Sequence, residues 1–262
     1  METRVFSPDL MFAIEVATKA GEVISGFYNE RMRQSWTSRS HFKTVADDAS
    51  ETFIRKMVSA RYPSYNIWSE EGGRSDDKSP FTWVWDAVDG TIPMFFGITD
   101  HFSVCGALCN GTTPILGVAN AVKREEIYAG EIGIGAYCNG IPIHVSGETE
   151  IGHVVMGIDS GKYSRDAHIP FLQKACGPGG IVTHLSSGCA SVPLLLVASG
   201  VLHAYLATSL EQEDMAAAVP IIREAGGKVT NLNGNEWELG SQSILAANPT
   251  LHGKLGKFFN IF

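Results

Sequence analysis

No run in this chain approaches the roughly 20 consecutive apolar residues that a bilayer-spanning helix needs. The stretch Met1 to Asp9 lacks a basic segment followed by an apolar one, which argues against a secretory leader. Basic residues are scarce: Lys and Arg number 20 against 28 Asp and Glu, for a net charge of −8. A nucleic-acid partner held through phosphate contacts is therefore disfavoured. The cysteines (Cys105, Cys109, Cys138, Cys176 and Cys189) are odd in number and contain no Cys-x-x-Cys pair. Neither a disulfide framework nor a zinc ribbon follows. They read as small apolar core residues of a reduced, cytoplasmic protein. The histidines include no His-Glu-x-x-His pair, so zinc catalysis is unsupported, and His101 and His184 read as structural residues or pocket walls.

What is present is apolar material and acid. Hydrophobic residues make up 44% of the 262 positions and charged ones only 18%, which excludes extensive disorder. That length builds one large domain or two small ones around a substantial core. The acidic balance suits carboxylates kept for metal cations, although solubility alone also explains it.

Ser7-Pro8-Asp9 reads as a helix start, and Leu10, Ile14, Ala17, Ile24 and Phe27 then recur at helical spacing, giving a helix from Pro8 to about Arg31. The polar stretch Gln34 to Lys43 reads as a mobile loop. A second helix begins around Thr44-Val45-Ala46-Asp47 and stops before Pro63. Two short strands follow, Tyr65 to Ser69 and Phe81 to Trp85, and both run into acids. From His101 to about Ser146, apolar runs alternate with Gly, Asn and Pro turns, the rhythm of an antiparallel meander. Strands and helices alternate thereafter. The pattern predicts a layered α/β (α+β) fold with a boundary near Ser146, dividing the chain into segments 1–146 and 147–262. Trp68, Trp83 and Trp85 read as core packing.

The most informative segment is Asp86-Ala87-Val88-Asp89-Gly90-Thr91. Two acids three residues apart leave the end of an apolar strand and enter a glycine turn. Such a turn points both carboxylates and the Val88 carbonyl towards one spot, an oxygen-only set suited to Mg2+. Gly90 allows close backbone approach, and the Gly90 and Thr91 amides offer a cradle for phosphate. An acidic surface turn is the alternative. Other acids stand at element ends, each with two readings. Asp47 is a site residue or the capping-box partner of Thr44. Glu70-Glu71 is a ligand pair or a solvated one, and Asp214 is a ligand or a favourable first-turn charge. If the fold gathers these acids, their repulsion in a partly buried cleft requires cations between them.

Taken in order, Thr44-Val45-Ala46-Asp47, Glu70-Glu71, Asp86 to Thr91, Ser187-Gly188-Cys189-Ala190, and Asp214-Met215-Ala216-Ala217 with Glu224-Ala225-Gly226-Gly227 resemble the signatures of inositol monophosphatases. The resemblance runs from about Phe12 to Asn248. It implies an αβαβα sandwich, a Mg2+-dependent and lithium-sensitive phosphatase, and a homodimer. It would place Glu70 on a first and a third Mg2+, Asp86 between the first and second, the Val88 carbonyl on the first, and Asp89 and Asp214 on the second. Asp47 and Thr91 would orient the attacking water, completing a catalytic set with Glu70, while Gly90-Thr91 would bind phosphate. The segment 1–146 would thus carry most metal ligands, and 147–262 would supply Asp214 and the substrate contacts.

The chain departs from that pattern near the substrate. Ala87 stands where the family has proline, Ile92-Pro93-Met94-Phe95-Phe96 follows Thr91, and Glu213 precedes Asp214. The glutamate that holds ring hydroxyls in the family falls at about Ala207. Pro220 lies within the helix after Asp214, where it removes a backbone bond to Ala216 and kinks the helix. Ser187, Gly188, Cys189, Glu211 and Glu213 are candidate contacts to the substrate's organic part, with an exposed acidic loop as the alternative for the two glutamates. A nucleophilic Cys189 is disfavoured, because the family places a small non-nucleophilic residue there. The expected substrate is a small phosphorylated metabolite from a cyclitol, sugar or amino alcohol. Histidinol-phosphate or fructose-1,6-bisphosphate hydrolysis is the alternative within the same fold. A non-catalytic homologue that binds a phospho-metabolite or a protein partner is the reading from outside it.

Overall fold

The computed structural model describes residues 6–27, 34–36, 42–75, 79–161, 164 and 166–262. Its helices are α1 (Pro8–Ser25), α2 (Val45–Arg61), α3 (Thr91–Phe96), α4 (Ile169–Ala175), α5 (Ser191–Ala198), α6 (Glu213–Ala216), α7 (Ala218–Glu224) and α8 (Pro249–Phe258). The first ten strands are β1 (Gln34–Trp36), β2 (Phe42–Thr44), β3 (Asn66–Ser69), β4 (Gly73–Arg74), β5 (Phe81–Asp89), β6 (Ser103–Asn110), β7 (Thr113–Ala121), β8 (Glu126–Glu131), β9 (Gly135–Cys138) and β10 (Ile141–Pro142). The rest are β11 (Val155–Asp159), β12 (Thr183–Leu185), β13 (Ala204–Ala207), β14 (Lys228–Thr230) and β15 (Ile244–Ala247).

Two sheets result besides the small β1–β2 hairpin. An eight-stranded sheet runs β10-β9-β8-β7-β6-β5-β3-β4, and a five-stranded sheet runs β12-β11-β13-β15-β14. From β5 to β10 every pairing is antiparallel, which is the expected meander. In the second sheet β11 pairs in parallel with both β12 and β13.

Alternation along the central strands assigns the faces. Trp83, Trp85, Val104 and Leu116 join α1 and α2 in one core, and Trp83 and Trp85 are fully buried as expected, whereas Trp68 is half-buried. Val84, Cys105, Ala107 and Ala119 face the opposite way, onto α5, α6 and α7. A third core lies beneath α4 and α8 on the outer side of the second sheet. The order is therefore helices, sheet, helices, sheet, helices, as the family resemblance implied.

Three sequence expectations change. The first helix stops at Ser25, and residues 28–31 of the expected span lie outside the described residues. The polar stretch after it is not simply a loop. Its ends pair as antiparallel strands, Gln34 opposite Thr44, with residues 37–41 outside the described residues, and Phe42 is buried with its ring edge-on to Phe95 and stacked on Phe96. The cysteines are not all core residues either: Cys105, Cys109 and Cys189 are buried, Cys138 is half-buried and Cys176 is exposed. The segment around Pro220 divides into α6 and α7 at Ala217, whose φ of −64° and ψ of −39° stay helical.

Candidate active site

A cleft of about 210 Å³ opens where β5 ends, lined by Glu70, Asp86, Asp89 and Thr91 together with Asp159 and Tyr205. Burial of Ala87 and Val88 fixes the turn that carries the acids. Ser50 Oγ of α2 donates to the Ala87 carbonyl at 3.1 Å, and the Val88 amide donates to Asp86 Oδ1 at 2.9 Å. Gly90 then turns the chain with φ of +88°. A Cβ there would stand 2.6 Å from the His101 carbonyl oxygen and 3.0 Å from Cys189 Cβ. Only glycine fits both the dihedral and the space.

Glu70, Asp86 and Asp214 each offer a carboxylate oxygen within 4.8 Å of one another. They arrive from β3, β5 and α6, so no short segment of sequence contains the group. Among the described residues bounding the cleft none is basic. Three carboxylate oxygens gathered this closely fit a hard divalent cation.

Asp47 is the capping-box partner of Thr44 and also reaches the Thr91 hydroxyl. Its Oδ2 accepts from the Thr44 amide at 2.9 Å and from Thr44 Oγ1 at 2.6 Å, which closes the capping box of α2. Its Oδ1 accepts from Thr91 Oγ1 at 2.8 Å, and the same hydroxyl lies 3.0 Å from the Val88 carbonyl. Burial pushes the Asp47 carboxyl above its ordinary range, opposed by the bonds from Thr44 and Thr91.

Asp89 lines the cleft but stands outside the three-carboxylate group. Its Oδ2 accepts from the Ala190 amide at 2.9 Å, the Ser191 amide at 2.6 Å and Ser191 Oγ at 2.5 Å, and so caps α5. Cys189 Sγ donates to the same oxygen at 3.1 Å. Burial raises Asp89, and burial together with the Asp89 charge holds the Cys189 thiol well above its ordinary value. A protonated, hydrogen-bonded thiol is no nucleophile.

The expected substrate contacts divide. Gly188 and Cys189 line the cleft, whereas Ser187 lies beside it with its Oγ donating to the Cys189 carbonyl at 3.0 Å. Glu213 is buried at the start of α6 and Glu211 is half-buried before it; neither lines the cleft. His101 and His184 do not line it either. Sequence reasoning missed Asp159, Ser186 and Tyr205. Position at the carboxyl end of a parallel strand is the signal that marks Asp159.

The inositol monophosphatase family model matches residues 7–260. The chain belongs to that family. Homologues in it are phosphoric monoester hydrolases, generally metal-dependent, that act on small phosphorylated substrates. The chain is 31% identical to the Nus factor SuhB of Pasteurella multocida, over 94% of this chain and 93% of that protein. It is 28% identical to a histidinol-phosphatase of Chlorobaculum parvum, over 94% of each. The crystal structure of the extragenic suppressor protein SuhB from Bartonella henselae superposes with a TM-score of 0.89 at 25% identity, covering 97% of this chain and 98% of that one. No helix among the described residues is long and apolar enough to cross a membrane.

Proposed function

We propose that this chain hydrolyses a small phosphate monoester by Mg2+-assisted attack of water. In this reading Glu70, Asp86, Asp89, Asp214 and the Val88 carbonyl hold two or three ions. The convergence of Glu70, Asp86 and Asp214 oxygens within 4.8 Å is the observation that supports it best. Like charges so close in a partly buried cleft repel unless cations lie between them. When bound, Mg2+ supplies positive charge for the phosphate oxygens and makes a nearby water more acidic.

The chain's own side chains supply the orientation. The Thr91 hydroxyl that commits its hydrogen to Asp47 can only accept from a water placed against it, which turns that water's lone pair towards phosphorus. Asp47 then receives the proton through Thr91, a task set by geometry first. The Gly90-Thr91 turn takes the phosphate in this reading. Segment 1–146 supplies most metal ligands, and 147–262 supplies Asp214 and the contacts to the alcohol.

The alcohol is a cyclitol, a sugar or an amino alcohol. The histidinol-phosphatase relative supports the last of these, and fructose-1,6-bisphosphate is the other alternative within the fold. A homodimer, lithium sensitivity and a cytoplasmic location belong to the same proposal. Phosphate release from an aryl phosphate, measured with and without Mg2+, tests it. Release should require Mg2+ and disappear in Asp86→Asn and Asp89→Asn while both variants remain folded. Turnover retained in both variants rejects the reading, and a folded wild type without Mg2+-dependent release favours a homologue that binds without turnover.

A further inference from the structure

We infer that Asp159 recognises the released alcohol, and that it favours alcohols presenting a hydrogen-bond donor, hydroxyl or ammonium, beside the phosphorylated position. The inference rests on the phosphatase reading and concerns a further residue lining the same cleft.

Asp159 ends β11 with only 6% of its surface exposed, and it lines the cleft without joining the Glu70, Asp86 and Asp214 group. Its register partner on β13 is Ala207, which is fully buried and brings no polar side-chain atom. Of this pair, only the β11 residue carries a charged side chain.

The surroundings are built to present it. Tyr205 Oη donates to Asp159 Oδ2 at 2.8 Å, and Ser186 Oγ donates to Oδ1. Tyr205 is opposite Gly157 across the two parallel strands. A Cβ at Gly157 would stand 2.5 Å from Tyr205 Cδ2, so the missing side chain is what lets the ring cross β11 and reach the carboxylate. Each carboxylate oxygen has room for two hydrogen bonds. One donor per oxygen holds the group in place and leaves capacity towards the cleft.

No basic side chain among the described lining residues offsets this carboxylate, and Leu210, Gly161 and Ile92 share the cleft as apolar or neutral surface. With the ion-binding acids gathered elsewhere, Asp159 faces the part of a substrate that lies beyond its phosphate. An alcohol with a donor completes the carboxylate's bonds. One without a donor displaces water and returns nothing, the arrangement that discriminates best against an analogue lacking the group.

The test measures kcat/KM in saturating Mg2+ for an aryl phosphate, β-glycerophosphate and phosphoethanolamine, on wild type, Asp159→Asn and Asp159→Ala. The readout is the ratio of each donor-bearing substrate to the aryl phosphate. Both substitutions should lower that ratio about 10- to 100-fold, the worth of one charged hydrogen bond. A larger loss for phosphoethanolamine in Asp159→Asn assigns the donor as ammonium, and a larger loss for β-glycerophosphate assigns it as hydroxyl. An unchanged ratio, or an equal loss on all three probes, overturns the inference. Wild-type protein that turns over no probe defeats the phosphatase reading and this inference with it. Should the Asp159 variants fail to fold, Tyr205→Phe removes one holding bond and keeps the ring. It should lower the same ratio about two- to tenfold, and an unchanged ratio there overturns the inference.

Discussion

The Thr91 hydroxyl lies 2.8 Å from Asp47 Oδ1 although 44 positions separate the two residues in sequence. The other Asp47 oxygen holds the N-terminus of α2. One carboxylate thus anchors a helix with one oxygen and orients a site hydroxyl with the other. Asp47→Asn should lower kcat about 100- to 10,000-fold, the usual range for a lost proton acceptor, with KM changed far less. Thr44→Ala removes the cap and one bond to Asp47 Oδ2 but leaves the Asp47–Thr91 bond, so it should cost about 1 kcal/mol of stability and lower kcat far less than Asp47→Asn. Equal kcat losses in the two variants would show that Asp47 acts only through the helix.

Asp86→Asn and Asp214→Asn each remove one of three facing charges. In chelator, neither variant should melt below the wild type, because like-charge repulsion falls and Asn keeps the oxygen that accepts from the Val88 amide in the first variant. Added Mg2+ should raise the wild-type melting temperature by linkage and leave both variants nearly unmoved. Thermal scans with and without Mg2+ decide this, and equal Mg2+ shifts in all three proteins would count against ion binding at these acids.

Gly90→Ala meets both a left-handed backbone and the His101 carbonyl oxygen. The backbone strain alone costs about 1–3 kcal/mol, and the collision adds to it. Gly111→Ala is the control, since its φ is +59° and nothing lies within 4 Å of the new Cβ. Denaturant unfolding should show Gly90→Ala as clearly the more damaging, and equal losses would mean that the close approach is relieved by movement.

Cys189 should resist alkylation in the native protein, because its thiol is buried and held protonated beside Asp89. Exposed Cys176 should react first. Peptide mass mapping after brief treatment with iodoacetamide reads the order. Cys189→Ser keeps a donor for Asp89 and should retain most activity, and a total loss would reopen the nucleophile reading.

His252 is fully buried in the third core, with Nε2 3.0 Å from Thr230 Oγ1. Burial, aided by the Lys228 charge, lowers its pKa to about 4 from an ordinary 6.5. The unfolded chain therefore takes up this proton at a higher pH than the folded one. Its contribution is present above pH 6.5 and is lost as pH falls towards 4. The loss should reach at most about 2–3 kcal/mol. His252→Gln should flatten that part of the stability curve, and an unchanged slope between those pH values would place the titration elsewhere.

Local signals wrote much of this fold. The cap at Ser7 and the glycine turns of the meander each act through neighbours in sequence, and the elements they mark are present. The strand character of Phe42 was hidden, because it depends on burial against Phe95 and Phe96, more than fifty positions away. The acids of the site announced themselves by standing at element ends, and the family likeness ordered them. Asp159 also stands at an element end, that of β11, but it belongs to none of the motifs that carry the family likeness. Its importance comes from Tyr205 and Ser186, brought to it by strand pairing and the loop after β12. The dual engagement of Asp47 was equally invisible, since each reading alone accounted for the residue.

The hold of Asp89 on α5 joins the cleft to the second half of the chain. One carboxylate at the end of β5 bridges a layer built from the chain's beginning to a helix from its later half. Under the proposed reading, a chain that has not yet seated that helix lacks one of its ion ligands, so activity should appear only with the complete fold.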